Sequence, residues 1–242
     1  DVLGVKSEEV TYKESTWSGG GNAGPCLEAS ISGLEVSTLV FMKYKIVNGQ
    51  YVDMPIKIVD TGYGIERFTW LSQGALSGFH AVYGEILNKI MSLAGLEWVD
   101  EEILIASTKH SAMMSLETTS TKLDLRRSIA EEIGMDPVEL EALMSPIESV
   151  YTIADHTKAL SFMLAEGVVP SNVKEGYLAR LIFRRAFRLL RILGIENRMK
   201  DIVEMQIDYW SRDFPNLEES REEILEALEV EGRKYRRTLN RG

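Results

Sequence analysis

Residues 39–47 read Leu-Val-Phe-Met-Lys-Tyr-Lys-Ile-Val, an apolar run that passes into strict alternation of polar and apolar positions. That pattern predicts a long strand. Asn48-Gly49 follows it. This is the strongest short hairpin signal, because a type I′ turn needs positive φ at both central positions. Tyr51–Val59 then returns as a second strand. Pro55 within it cannot donate to a ladder, which places it at a sheet edge or in a bulge. Upstream, Val10-Thr11-Tyr12 opens another strand, and Glu28–Ser32 alternates small and apolar residues as a fourth. The first part of the chain therefore predicts an antiparallel sheet.

Near residue 75 the period changes from two to between three and four. Phe79–Leu93 carries apolar residues at helical spacing and stops at Gly95; Thr121–Ile133 stops at Gly134. Asp136-Pro137 begins the next helix, with an Asp cap and Pro in the first turn. Ser149–Ala165 is closed by Gly167 and Gly176–Leu193 by Gly194, and Asn197–Ser211 and Asn216–Leu239 complete the series. A β unit followed by a helical array is an α+β chain, or two separate domains. There is no internal repeat and no low-complexity segment.

Composition narrows the chemistry. The chain has 242 residues, enough for one large domain or two small ones with a core that needs no staple. Cys26 is the single cysteine, so a disulfide framework is excluded and a reducing compartment is expected. His80, His110 and His156 are the only histidines, with no Cys-x-x-Cys, His-x-x-x-His or His-Glu-x-x-His spacing, which argues against a metal centre. No apolar run reaches the length of a membrane span and no signal-peptide pattern opens the chain, so a soluble, cytoplasmic protein without a membrane partner is expected. The net charge is −10. It is uneven, with −3 over residues 1–96, −8 over 97–148, +5 over 149–200 and −4 over 201–242. The basic stretch is either a solvated helix face paired with acidic neighbours, the commoner outcome for a charge run, or a surface for phosphate or RNA.

Three segments carry candidate chemistry. Trp17–Glu28 holds four glycines in six residues (Gly19, Gly20, Gly21 and Gly24), a loop whose backbone could approach a ligand and whose N–H groups could form an anion nest, or a plain turn between strands. It is not a P-loop, since no Gly-Lys-Ser/Thr closes it. Val59–Phe68, Val-Asp-Thr-Gly-Tyr-Gly-Ile-Glu-Arg-Phe, lies where the last strand turns into a helix. There Asp60 at the strand end suits an ammonium, and Arg67 in the first turns of the helix suits a phosphate. The alternative is an Asp cap and a surface Arg. Pro170–Arg180 leads into the basic helix, on which Arg180, Arg184, Arg188 and Arg191 fall within an arc of about 80°. Leu178, Ile182, Leu189 and Leu193 take the opposite side. An outward arginine stripe suits a phosphate backbone.

Together these segments resemble the alanyl-tRNA synthetases, class II aminoacyl-tRNA synthetases, in their archaeal-type subgroup. The stretches that carry the resemblance are Gly-Gly-Gly-Asn-Ala-Gly-Pro-Cys (19–26), Leu-Val-Phe-Met-Lys-Tyr (39–44), Val-Asp-Thr-Gly-Tyr-Gly-Ile-Glu-Arg (59–67), Ile-Ala-Asp-His-Thr (153–157), Gly-Val-Val-Pro-Ser-Asn (167–172) and Gly-Tyr-Leu-Ala-Arg-Leu-Ile-Phe-Arg-Arg (176–185). The resemblance implies the end of a catalytic domain over residues 1–75, a helical connecting region over 76–148 and a helical tRNA-recognition domain over 149–242. It implies ATP and Mg²⁺ as cofactors of the complete enzyme, and alanine and the acceptor stem of tRNA(Ala) as partners. Residues 59–67 match class II motif 3. By that match Arg67 holds the ATP γ-phosphate with Gly64 beside it, Asp60 binds the substrate ammonium, and Gly62 lines the floor. Trp17 walls the small side-chain pocket. Thr38 stands where many members carry Asn against the amino acid. Asn172 matches a residue that reads the acceptor-stem G·U pair, with Arg180, Arg184 and Arg188 along the stem. No residue is expected to act as a catalytic acid, base or metal ligand.

In the family, motifs 1 and 2 lie upstream of the Trp17 position, and a second G·U reader and an editing domain lie beyond the equivalent of Gly242. The chain is therefore expected to be a central fragment, inactive alone and complemented by further N- and C-terminal parts. A pocket sized for methyl cannot strongly reject glycine or serine, because that difference is worth only about 1–3 kcal/mol, so such an enzyme needs a second, hydrolytic sieve. The alternative function is a stand-alone acceptor-stem-binding module without catalysis.

Overall fold

The computed structural model describes residues 4–114 and 122–239. The chain divides into two compact units, Asp1–Val82 and Tyr83–Gly242.

The first unit is built on a four-stranded antiparallel sheet in the order β1-β2-β3-β4, with β1 Val10–Gly19, β2 Asn22–Ile31, β3 Leu34–Val47 and β4 Gln50–Tyr63. Two-residue turns join the strands. The Asn48-Gly49 turn has both residues at positive φ, as its sequence predicts, and Ser32-Gly33 and Gly20-Gly21 repeat that geometry. The strands run longer than the apolar runs that signal them, because a ladder extends through polar residues wherever both backbones stay extended. Pro55 lies in outer strand β4 and also in an irregularity, since Tyr44 pairs with Asp53 but Met42 pairs with Ile58. A second irregularity in β3 inserts Val36 between Glu35, opposite Ser30, and Ser37, opposite Ala29. Beyond β4, Gly64 opens helix α1 Ile65–Gln73, which ends at Gly74; Trp70 there donates its indole N–H to Ala75 O at 2.7 Å.

Helix α2 Gly78–Tyr83 is followed by α3 Glu85–Leu93. The sequence predicts one helix over this stretch, and the chain breaks it at Gly84, φ 44°. The second unit continues with α4 Glu101–Met114, α5 Lys122–Ile133, α6 Pro137–Ala165, α7 Lys174–Ile192, α8 Met199–Trp210, α9 Asn216–Glu219 and α10 Arg221–Leu239. The expected start of α5 at Thr121 lies outside the described residues. Helix α4 was not predicted, because its apolar residues Ile103–Ala106 are contiguous and its polar ones are scattered, leaving no clear stripe. The long helix α6 replaces two predicted ones. Asp136 caps it as expected, accepting from Val138 N and Glu139 N, and Pro146 is carried inside it.

Helices α3, α5, α7, α8 and α10 all pack on α6, whose buried residues include Leu140, Ile147, Ile153, Leu160 and Leu164. Burial on several sides outweighs the carbonyl left without its helical donor at the proline. Gln206 on α8, wholly buried, donates to Ala154 O (2.8 Å) and Thr157 Oγ1 (3.0 Å) and accepts from the Trp210 indole (2.9 Å). That network sets the register of α8 against α6, since each buried polar group must find its partner. Arg126 on α5 is likewise buried and binds Glu141 and Glu148 of α6.

Asp155 of α6 lies beside His156 (3.3 Å) and accepts from the Tyr83 hydroxyl (3.1 Å). The hydrogen bond from His156, then that from Tyr83, hold its carboxyl below the usual range. A depressed carboxyl adds stability above its unfolded-state pKa and loses it as pH falls through the folded one. The urea midpoint of the wild type should therefore drop as pH falls below about 4. Asp155→Asn should lower the midpoint at pH 7 and flatten that acid limb, and an unchanged acid limb would remove Asp155 from the balance.

Candidate functional site

Strand alternation decides which side chains meet on the sheet. Ser15, Cys26, Val40 and Asp60 are direct cross-strand partners in one row, and Lys13, Glu28, Thr38 and Gly62 form the next. Partners across a ladder point to one face, and so do residues two apart on a strand. Trp17 follows Ser15 by two, so Trp17, Thr38, Asp60 and Gly62 share a face. Side-chain bonds agree. Ser15 Oγ lies 2.8 Å from Cys26 Sγ and donates to Glu28 Oε1 at 3.0 Å, and Lys13 Nζ reaches Glu28 Oε2 at 3.3 Å. Cys26 and Val40 are buried at the centre of this face, while Asp60 is exposed, and among the described residues no cation pairs with its carboxylate.

The extra residue at Val36 adds one more group. In a regular strand Glu35 and Thr38 would point to opposite faces; the inserted residue brings Glu35 round to the face of Ser30 and Thr38. Glu35 Oε1 accepts from Thr38 Oγ1 at 2.7 Å. Arg67, in the first turn of α1, donates to Glu35 O at 2.9 Å and lies 3.4 Å from Glu35 Oε2. Glu35 thus ties the predicted arginine to the predicted threonine. Nothing in the local sequence marks it, because the bulge that turns it is a property of the ladder.

The glycine-rich segment serves the sheet rather than forming a separate loop. Gly20 and Gly21 make the β1–β2 turn, and residues 22–26 are already strand β2. From Asn22 onward its residues pair with β1. Gly24, opposite Trp17, lies tight against β3: a Cβ on it would fall 2.0 Å from Phe41 O.

The basic helix α7 differs from its predicted orientation. Its buried stripe is Gly176, Ala179, Phe183, Ala186, Phe187 and Leu190, whereas Leu178, expected inside, is 49 % exposed. Arg180 does not face out. Its Nε donates to Glu231 Oε1 (3.0 Å), one terminal nitrogen to Glu231 Oε2 (3.2 Å) and Pro170 O (3.1 Å), and the other to Asn172 Oδ1. Arg184 leans toward the same carboxylate at 3.6 Å and lies over the Tyr235 ring at 5.2 Å. Arg188 and Arg191 are exposed. The predicted stripe splits because a buried carboxylate, Glu231, draws its first two arginines inward. That residue was legible in principle, as a lone charge on the face of α10 shared with Ile224 and Leu228.

No helix among the described residues is long and apolar enough to cross a membrane, and none of their His, Cys, Asp and Glu side chains form a group of three placed to hold a metal ion.

A four-stranded antiparallel sheet running into a series of helices is consistent with the catalytic region of a class II synthetase. Residues 1–242 match the family of tRNA synthetases class II (A), and the chain belongs to that family. The curated relatives it is similar to are alanine–tRNA ligases. It is 48 % identical over 240 residues to the alanine–tRNA ligase of Methanococcus maripaludis strain C7, covering 99 % of this chain and 27 % of that protein. It is 48 % identical over 243 residues to that of Korarchaeum cryptofilum, covering 100 % and 27 %. For Pyrococcus furiosus the figures are 47 % over 253 residues, 99 % and 28 %. The chain thus spans just over a quarter of the length of these relatives.

Gly24→Ala tests the close approach under the face. With backbone rather than a flexible side chain in the way, the variant should lose about 2–4 kcal/mol of stability and shift Trp17 fluorescence. Wild-type urea stability would show that β2 and β3 separate freely there.

Proposed function

We propose that this chain is the segment of an alanine–tRNA ligase that holds the amino acid and the ATP γ-phosphate on its sheet and meets the tRNA acceptor stem with its basic helix. The observation that carries this reading is the gathering of Trp17, Thr38, Asp60 and Gly62 on one face of the sheet, with Arg67 tied to it through Glu35. Asp60 receives the alanine ammonium, Trp17 and Thr38 bound the small side chain, and Gly62 keeps the floor low. Arg67, beside Gly64, takes the γ-phosphate. Its bond to a backbone carbonyl and its pairing with a half-exposed carboxylate leave further N–H donors on the guanidinium.

With the reactants so held, the alanine carboxylate attacks the ATP α-phosphorus, forming alanyl-adenylate and releasing pyrophosphate. The nucleophile is already ionised at neutral pH, so the protein supplies position and charge complementarity rather than a base. The described residues offer no cage for Mg²⁺; such an ion would come with the ATP phosphates, as is usual for this hard cation. On the helical unit, Arg188 contacts stem phosphates, and Asn172 presents a side-chain amide to the minor groove, the face of A-form RNA open to side chains.

Two measurements test these assignments in the complete ligase. Asp60→Asn should lower alanine kcat/KM by about 30- to 1000-fold, the equivalent of losing a charge-assisted bond with its partner charge left unpaired, while the ATP KM stays within about threefold. Equal losses on both substrates would make Asp60 a structural residue. Arg188→Ala should weaken acceptor-stem binding whatever the stem sequence and reduce the salt slope by about one; an unchanged slope would take α7 away from the phosphates.

A further inference from the structure

Arg180 is an arginine spent on the protein itself. Four of its five N–H groups are bonded within the protein, two to Glu231, one to Pro170 O and one to Asn172 Oδ1. The Glu231 side chain is 2 % exposed and that of Arg180 14 %. The pair therefore lies in a low-dielectric setting, where a two-pronged guanidinium–carboxylate bond holds its geometry. A guanidinium outside this arrangement would be free to seek a phosphate; this one is committed.

The loop in front of α7 is built to meet it. Ser171 N donates to Gly176 O at 2.9 Å, and Ser171 Oγ donates to Val173 O at 3.1 Å. The loop lies so close on the first turn of the helix that a Cβ at Gly176 would fall 2.5 Å from Val169 O and 2.2 Å from Ser171 Oγ. Asn172 is exposed in this loop, between Ser171 and the Val173 backbone that the Ser171 hydroxyl binds. A guanidinium only donates, so the Asn172 amide must turn its oxygen toward Arg180 and its NH₂ group away.

We propose that Arg180 and Glu231 are positioning residues for Asn172, fixing its amide so that an NH₂ donor, and not the carbonyl, is offered to the RNA minor groove. This rests on the reading that Asn172 meets the acceptor stem. Its partner is then an acceptor on the groove edge, such as a pyrimidine O2 or a 2′-hydroxyl, and the unpaired guanine amine of a G·U pair must be read by a separate acceptor. Arg180 itself makes no phosphate contact.

The test is charging of acceptor-stem minihelices bearing G·U or G·C at the recognised pair, by the complete ligase and its variants. Asn172→Ala should reduce the G·U over G·C ratio of kcat/KM by about tenfold or more. Arg180→Lys should reduce it nearly as much, because a lysine can neutralise Glu231 but cannot span to Asn172 and Pro170 at once. The double variant should lose no more than the single ones, and the salt slope of binding should stay at the wild-type value. Arg184, already 3.6 Å from Glu231, keeps the carboxylate compensated in the variant. Glu231→Gln, which retains shape and loosens the grip, should give an intermediate ratio. If Arg180→Lys leaves the ratio intact while Asn172→Ala collapses it, the positioning role is wrong and Asn172 acts unaided. If Arg180→Lys lowers the salt slope and slows charging of both stems alike, Arg180 is a phosphate contact. If Asn172→Ala leaves the ratio untouched, the stem-reading role of Asn172 falls, and the positioning role with it.

Discussion

The register of β3 is the constraint on which the sheet's chemistry depends. It lies between β2 and β4, and every side chain proposed for the amino-acid site either sits on it or is aligned by it. Because alternation has a period of two, a slip of one residue would send Thr38 and Asp60 to opposite faces. The turns at Ser32-Gly33 and Asn48-Gly49 pin β3 at both ends. The insertion at Val36 then reverses the sense of alternation where it turns Glu35 toward Arg67 and Thr38. The bulge is part of the site, a common use of such irregularities.

The helical unit answers to a different demand. Its core is apolar around α6, with a few polar groups placed where each can be satisfied. Gln206 is satisfied within the core by α6 and Trp210, and Arg126 by two carboxylates whose outer sides reach solvent. Glu231 is the costly one, a carboxylate with almost no exposure, and its compensation reorganises the neighbouring helix. Arg180 and Arg184 turn toward it, and the outward arginine stripe of α7 begins at Arg188, about two turns later than a helical wheel predicts. A buried ion pair of this kind is weak evidence for stability and better understood through what it orients.

Under the proposed function both units serve one style of chemistry, and neither depends on a side chain that gains or loses a proton. In that reading the sheet would present a carboxylate for an ammonium, a guanidinium for a phosphate and a floor without side-chain bulk. The helices would present cations for a backbone and an amide for a base edge. Rate and selectivity in such a system come from holding groups in place, so residues that hold other residues, such as Glu35 and Glu231, matter as much as those that touch the substrates.

Local patterns were enough to reveal an antiparallel sheet and its hairpin at Asn48-Gly49, because that turn, the alternation before it and Pro55 are governed by neighbours in the chain. The same holds for the Asp136 cap and for the aromatic, acidic and basic residues of the motifs, whose types and spacing survive without any knowledge of packing. Continuity of helices was not legible. The break at Gly84 and the passage of α6 through Pro146 are decided by what packs on each side, which periodicity does not see. Nor was the outward face of α7, since Arg180 points wherever its buried carboxylate partner lies, and that partner is 51 residues further along the chain. Sequence alone determined which groups are available and which segments carry them. The tertiary structure decided which of them face each other, because the face a side chain takes depends on ladder register and on burial of charges that are distant in sequence and adjacent in space.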